Sequence, residues 1–227
     1  MQKSLFITST GFDVGKTVVT LAIAAYYQTY CSEQSSVAVY KPISSDLTDP
    51  KQYQTTLNLP QSLEELSTVS VEGEGEPSIM AACMNSSLNL ATIWKHYQAL
   101  SASHDLVLME AFGGLGTPLT PETTVADLAW DWRLPTFLVV PVQPGAIGQA
   151  IAHVALARQS RVHLKGLILT CPTAVSQDDI KTFKDLLQSL TQVPTLGCVP
   201  YLADLGDRTK LAHAASNLDI ERILPFL

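Results

Sequence analysis

Three stretches place side chains where phosphate chemistry needs them. Gly15-Lys16-Thr17 follows a short apolar run and opens a helical pattern. In that context backbone N–H groups and a helix N-terminus face phosphates, the lysine reaches the terminal phosphates and the threonine offers a hydroxyl to Mg2+. Lys41 closes a second apolar run, stopped by Pro42, which has no N–H to give a sheet ladder. Glu110 closes a third and is followed by Ala111-Phe112-Gly113-Gly114. An acid there is placed to hold Mg2+ directly or through water. Such a set suits phosphoryl transfer, which rests on positioning and on neutralising charge over the phosphoryl oxygens.

The loop itself is irregular. A phosphate loop of the G-x-x-x-x-G-K-[ST] type begins on a glycine, whereas Ser9 to Thr17 reads S-T-G-F-D-V-G-K-T. Ser9 stands next to the opening place, and Gly11 comes too late for the full spacing. The tail, Val14 to Thr17, keeps the parts that touch phosphate and metal.

The elements that must carry these residues alternate along the chain. Leu5 to Thr8, Val37 to Ile43, Leu106 to Glu110, Thr136 to Val142, Leu164 to Thr170 and Thr195 to Pro200 read as strands buried on both faces. Helical patterns start near Lys16, span Ala146 to Arg161, and follow Ser176, with Asp179 completing a capping-box arrangement. This order predicts an α/β fold: a mostly parallel sheet with helices on both faces, a P-loop NTPase-like three-layer sandwich forming one domain over 1–227. Ligands of such sheets bind beyond the carboxyl ends of the strands. The Ser9–Thr17 loop, Lys41, Glu110 and Pro200 to Leu202 all fall just after strands. The polar stretch from Ser44 to about Pro77 is expected to be a surface excursion near the site.

Composition bounds the partners. A net charge of -7, with 14 Lys and Arg in no dense cluster, argues against a nucleic-acid surface. The chain opens directly on a strand-like run, which predicts no signal peptide, and no apolar run reaches the ~18 residues of a membrane span; a cytoplasmic location follows as the default. Cys31, Cys83, Cys171 and Cys198 show neither a C-x-x-C pair nor metal spacing and read as buried thiols. The histidines, His96, His104, His153, His163 and His213, show no ligand spacing and read as structural or surface residues.

Taken in order, these motifs resemble the dethiobiotin synthetase family over nearly the whole chain. That family's loop reads roughly G-T-D-T-x-V-G-K-T, and its second strand ends Y-K-P-V-x-S, against Tyr40-Lys41-Pro42-Ile43-Ser44-Ser45 here. Its E-G-A-G-G followed by P-L answers to Glu110 to Gly114 and Pro118-Leu119. Its A-D, L-P-x-x-L-V-V and L-G-x-x-P-x-L elements answer to Ala126-Asp127, Leu134 to Val140 and Leu196 to Leu202. The resemblance implies an ATP-dependent ligase that forms a ureido ring from 7,8-diaminopelargonate and CO2 through a phosphorylated carbamate, with Mg2+, as a homodimer with substrate near the interface. It implies Lys16 on the β/γ-phosphates, Lys41 on the carbamate, Thr17 and Glu110 on Mg2+, and Ser45 on the diamine. The nucleotide would lie along Asp13, Val14, Gly15, Lys16, Thr17, Val18, Glu110, Ala111, Phe112, Gly113 and Thr170, with Pro200, Tyr201 and Leu202 at the adenine.

Four departures cluster at that site. Ser9 replaces the family's first loop glycine, and Ala111-Phe112 replaces Gly-Ala. The Asn that reads adenine falls at Thr170, and the Asp that ligates metal falls at Tyr53 or a neighbouring Gln, with Asp46 and Asp49 as possible substitutes. Three alternatives stand beside the ligase: a paralogue with changed nucleotide or substrate, a non-catalytic P-loop regulatory protein, and a partitioning ATPase. The last would carry a second lysine at Gly11. A related amidoligase would need a glutaminase domain for which 227 residues leave no room.

Overall fold

The computed structural model describes residues 4–31, 36–70 and 88–225; Cys83 and residues 71–77 of the polar stretch lie outside them. The described elements run β1 (Ser4–Ser9), α1 (Lys16–Tyr30), β2 (Val37–Tyr40), β3 (Ile43–Ser44), α2 (Thr48–Leu57), α3 (Leu63–Leu66) and β4 (Val69–Ser70). Then come α4 (Leu90–Ser103), β5 (Leu106–Glu110), β6 (Pro118–Thr120), β7 (Thr123–Thr124), α5 (Val125–Asp131), β8 (Thr136–Pro141) and α6 (Ala146–Gln159). The chain finishes with β9 (Leu164–Thr170), α7 (Gln177–Thr191), β10 (Thr195–Val199), α8 (Arg208–Ala215) and α9 (Ile220–Ile223).

Six strands pair in parallel in the order β10-β9-β8-β1-β5-β2. Their side chains alternate between two buried faces, which is why the runs are apolar throughout. Leu5, Ile7, Leu106, Leu108, Phe137 and Val139 face one core with α1, α2 and α8. Phe6, Val107 and Met109 face the other, under α4, while Leu138 and Val140 meet α6. The result is the three-layer P-loop NTPase-like α/β sandwich that the alternation predicts. One irregularity breaks the period: β10 slips against β9 between Thr195 and Cys198. Gly197 sits there at φ 122, and a Cβ on it would come 2.4 Å from the Asn217 carbonyl oxygen. The bulge turns both Leu196 and Val199 to the same core.

Several boundaries differ from the sequence reading. The Val37 to Ile43 run is not one strand. It stops at Tyr40, the Lys41 N–H turns to the Leu66 carbonyl (2.8 Å), and Ile43–Ser44 pairs separately with Val69–Ser70. Ser176 caps α7 by accepting from the Asp179 N–H, but the Asp179 carboxylate takes the Ser176 hydroxyl (2.6 Å) rather than completing the reciprocal backbone bond. Of the described cysteines only Cys171 is buried; Cys31 and Cys198 are half-exposed, and all three are free thiols.

The largest correction concerns the polar stretch after Ser44. It is not a surface excursion: it holds α2, α3 and β4, and Tyr53, Leu57 and Leu66 are buried in the core beside α1. Pro50, Tyr53 and Leu57 make one apolar stripe on an otherwise polar helix.

Candidate active site

β1 ends at Ser9 and hands the chain to the loop that opens α1. Asp13 at φ 55 and Gly15 at φ 92 are left-handed residues on either side of Val14. Turns of that kind gather successive backbone N–H groups into an anion-binding nest. A Cβ at Gly15 would also come 3.1 Å from the Thr170 side chain, so backbone angle and space both require glycine. No side chain caps α1, which leaves its first-turn N–H groups and its positive dipole end for a ligand.

The missing loop glycine has a structural counterpart. Ser9 is fully buried, and its hydroxyl gathers the loop. It accepts from Lys16 Nζ (3.1 Å) and the Gly11 N–H (3.3 Å), and its proton has the Gly11 carbonyl (2.6 Å) and the Gly113 carbonyl (3.1 Å) as acceptors. Lys16 Nζ also donates to the Gly11 carbonyl (3.1 Å). The loop head is therefore stitched to the strand end, to its own lysine and to the turn after β5.

Glu110, fully buried at the end of β5, is the second centre. Its Oε1 accepts from the Thr17 hydroxyl (3.2 Å) and from Lys41 Nζ (3.0 Å); its Oε2 accepts from the Thr20 hydroxyl (2.9 Å) and the Tyr53 phenol. A carboxylate has about four acceptor positions, and all four are used. Burial alone would raise this carboxyl, but Lys41 and Lys16 outweigh it and hold Glu110 ionised below the usual range. Lys41 makes a second ion pair, with Asp49 of α2. Burial would lower its ammonium; Glu110 and Asp49 prevail and hold it well above the ordinary lysine value. Lys16 goes the other way. Burial is the main cause, Glu110 opposes it, Lys41 adds to it, and the balance is about 8. Burial and the neighbouring Glu110 charge push Tyr53 well above the ordinary phenol, so it stays a neutral donor.

Two adjoining cavities flank the loop. One, of about 250 Å³, is lined by Asp13, Val14, Gly15, Val18, Thr170, Pro200, Tyr201 and Leu202, together with Cys171, Pro172 and Val199. The other, of about 170 Å³, is lined by Lys16, Thr17, Lys41, Ser45, Glu110, Phe112 and Gly113 from the sequence reading, and by Phe12 and Asp49 besides. Ala111 lines neither; it is buried in the core behind the second cavity. The Thr170 hydroxyl donates to the Val14 carbonyl (2.6 Å), so its one proton supports the loop instead of pointing at a ligand. Phe12 packs edge-on against Phe112 with ring centroids 5.3 Å apart, walling the second cavity.

Sequence reasoning missed Thr20 and the bonding of Ser9. Thr20 lies one turn after Thr17, on the same face of α1, and that spacing was the available signal. The Ser9 contact with Gly113 spans the fold and leaves no local trace. Asp49 was one of several substitutes, and the helix phase of α2 is what brings it to Lys41. Among the described residues no three His, Cys, Asp or Glu side chains gather as a metal cage. The hydroxyl of Thr17 and the charge of Glu110, whose own acceptor positions are filled, suit a cation that keeps water and borrows phosphate oxygens to complete its shell, which is the usual habit of Mg2+.

Comparison with known proteins bears on this geometry. A family model described as an AAA domain matches residues 3–209. The ATP-dependent dethiobiotin synthetase BioD of Crocosphaera subtropica is 46% identical over 222 residues, covering 97% of this chain and 99% of its own. Those of Gloeothece citriformis and Synechocystis sp. are 42% and 38% identical, each covering at least 98% of this chain and 96% of its own. Among solved structures, the MinD cell division protein of Aquifex aeolicus superposes with a TM-score of 0.56 at 14% identity, over 97% of this chain and 93% of its own. A ParA family ATPase from Chlorobium tepidum gives 0.53 at 8%, over 100% and 95%. At such identities the structural likeness concerns the fold alone, and Gly11 stands where the partitioning reading requires a lysine.

Proposed function

The chain belongs to the AAA-domain family and, within it, to the ATP-dependent dethiobiotin synthetases; from that premise we propose how its residues carry the reaction. The chemistry is a ligation. One amine of 7,8-diaminopelargonate captures CO2 as a carbamate, ATP phosphorylates a carbamate oxygen, and the second amine attacks the carbamate carbon. Phosphate leaves and the ureido ring closes.

Lys16 and the amides of Val14 to Thr17 hold the β/γ-phosphates, while the apolar cavity at Val18, Pro200, Tyr201 and Leu202 takes the base. Lys41 sits over the carbamate and offsets the charge that spreads across the transferring phosphoryl group. Ser45, on the rim of the same cavity, orients the diamine. Thr17 and Glu110 are the residues for Mg2+, which when bound supplies neutralising charge on the phosphate oxygens. Because its acceptor positions are filled, Glu110 serves by its charge, by fixing Thr17 and Lys41, and by meeting the cation through water. Phe12 and Phe112 narrow the cavity and keep water from the acyl phosphate.

The remaining parts of this reading follow from the family and from composition. The chain works as one domain over 1–227, in the cytoplasm, as a homodimer, on small molecules rather than nucleic acid or membrane. Its net charge of -7 is in keeping with this, and among the described residues no helix is long and apolar enough to cross a membrane. The observation that carries the reading is Lys41, held between Glu110 and Asp49 in the same small cavity as Lys16 and Thr17. The test is conversion of carbon-labelled bicarbonate and 7,8-diaminopelargonate to labelled dethiobiotin with Mg2+ and ATP, CTP or GTP in turn. ATP is expected to support turnover; no product with any nucleotide would sink the ligase reading. Product with CTP or GTP alone would instead favour the paralogue with altered nucleotide choice, for which the bonded Thr170 hydroxyl speaks.

A further inference from the structure

Two thiols face each other where nothing in the ligation needs them. Cys198 of β10 is the register partner of Leu169, and Cys171 stands two residues past Leu169 along the same line of chain as β9. Side chains two apart leave the same face of a sheet, and the two sulfurs lie 3.5 Å from one another. The backbone holds the pair together as well, because the Cys171 N–H donates to the Val199 carbonyl (3.1 Å). Their surroundings differ. Cys171 is buried in the wall of the base-side cavity, between Thr170 and Pro172. Cys198 is half-exposed and lines a separate cavity of about 340 Å³ with Gln177, Lys181, Lys184 and Asn217. Pro200 lines both cavities, so a displacement at Cys198 reaches the base side. One thiol is thus open to a reagent in solution, and its buried neighbour is in contact with it.

We infer that Cys171 and Cys198 form a reversible disulfide that closes the base-side cavity to nucleotide; the second half rests on the reading of that cavity given above. The chemistry needs only a small-molecule disulfide as oxidant. The Cys198 thiolate attacks one sulfur of the oxidant, expels a thiolate and is left in a mixed disulfide. The Cys171 thiolate then attacks the Cys198 Sγ and expels the second thiolate. Two protein thiols give up two electrons and two protons, and the oxidant is reduced to two thiols. An S–S bond is about 2.05 Å long, so closure draws the sulfurs together by ~1.5 Å. Diagonal neighbours on a sheet stand ~7–8 Å apart, whereas a disulfide spans at most ~6.8 Å between Cα atoms, so the backbone has to follow. The segment from Thr170 to Pro172 and the segment from Val199 to Leu202 both line the base-side cavity, and the bond shifts one against the other. The Thr170 hydroxyl that supports the Val14 carbonyl (2.6 Å) moves with them. Burial raises both thiols, and the neighbouring Cys171 adds to it at Cys198, so the exchange should quicken as pH rises. In a reducing compartment a pair of this kind is switched rather than permanent.

The test incubates the full chain with oxidised glutathione at pH ~8.5, blocks the remaining thiols with iodoacetamide and maps the peptides by mass. A linked pair of peptides carrying Cys171 and Cys198 is expected, and dithiothreitol should release it. By calorimetry the oxidised chain should bind a non-hydrolysable ATP analogue at least about tenfold more weakly than the reduced chain. Cys198→Ser should bind the analogue equally well with and without the oxidant. Cys171→Ser should stop at a glutathione adduct on Cys198, because the thiol that resolves it is gone. No linkage, or linkage through Cys31 or Cys83 instead, overturns the inference. So does undiminished affinity in the linked chain. If the reduced chain binds no nucleotide analogue, the underlying ligase reading has failed and the coupling to nucleotide with it, while the peptide map still decides the bond.

Discussion

The two cavities beside the loop are built on different principles. The phosphate-side cavity is fixed by charge: Thr17, Thr20, Lys41, Asp49, Tyr53 and Glu110 form one network, joined to Lys16 and Ser9 through the Thr20 hydroxyl on the Lys16 carbonyl, with most members buried. The base-side cavity is shaped largely by apolar walls, Val14, Val18, Pro200 and Leu202, with the Thr170 hydroxyl turned to the loop and Asp13 and Tyr201 also in its lining. Ionic groups in low dielectric interact strongly and lose much when a partner is removed, whereas apolar walls accept substitution at modest cost. The departures from the family pattern can be read accordingly. On the phosphate side a change needs compensation, as Ser9 supplies with its hydroxyl. On the base side Thr170 stands alone.

The contrast can be broken most readily at Lys41. Lys41→Ala should lower kcat by about a thousandfold while moving KM for ATP by no more than about threefold, since its target is the transferring group. Unaltered turnover would remove it from the mechanism. Glu110→Gln should come next: it strips a buried anion from Lys41 and should cost about 3 kcal/mol in denaturant unfolding, where a loss under about 1 kcal/mol would show that the network is not held by charge. Ser9→Ala takes from Lys16 Nζ one of its two acceptors and from the Gly11 N–H its hydroxyl partner, and should cost about 1–3 kcal/mol and raise KM for ATP. If Ser9→Ala binds ATP normally, the hydroxyl is not what replaces the glycine.

A pH measurement sharpens the same comparison. Burial, the chief cause, lowers Lys16 to about 8. Above that pH the unliganded amine is largely neutral, and phosphates favour the ammonium. Nucleotide binding near pH ~9 should therefore take up close to one proton from this group, and near pH ~7 almost none. Calorimetry in buffers of different ionisation enthalpy reads the uptake; equal values at both pH points would contradict the assignment. The smallest effect is expected on the base side, where Thr170→Asn should alter ATP preference over GTP by about tenfold or less. A larger shift, or loss of turnover, would show that the base side is as tightly determined as the phosphate side.

The sheet was legible because strands buried on both faces must be continuously apolar, and Lys41 and Glu110 were legible because they interrupt such runs at the ligand edge. Helix α2 was hidden. Its stripe of Pro50, Tyr53 and Leu57 is diluted by Thr, Gln and Lys, and only the fold shows the stripe buried against α1. That Tyr53 meets Glu110 and Asp49 meets Lys41 depends on the phase of that helix. The Ser9 staple needed a partner at Gly113, 104 residues away, beyond what spacing in the chain can reveal. Two-residue strands such as β3 and β4 carry too little pattern to be read at all.

The central claim, that this network phosphorylates a carbamate, meets its most direct test in the fate of the carbamate oxygens. With CO2 labelled by heavy oxygen, phosphoryl transfer to a carbamate oxygen followed by ring closure must leave one labelled oxygen in the released phosphate. The account predicts labelled inorganic phosphate formed in step with dethiobiotin. Unlabelled phosphate, formed by attack of water on ATP, would contradict it.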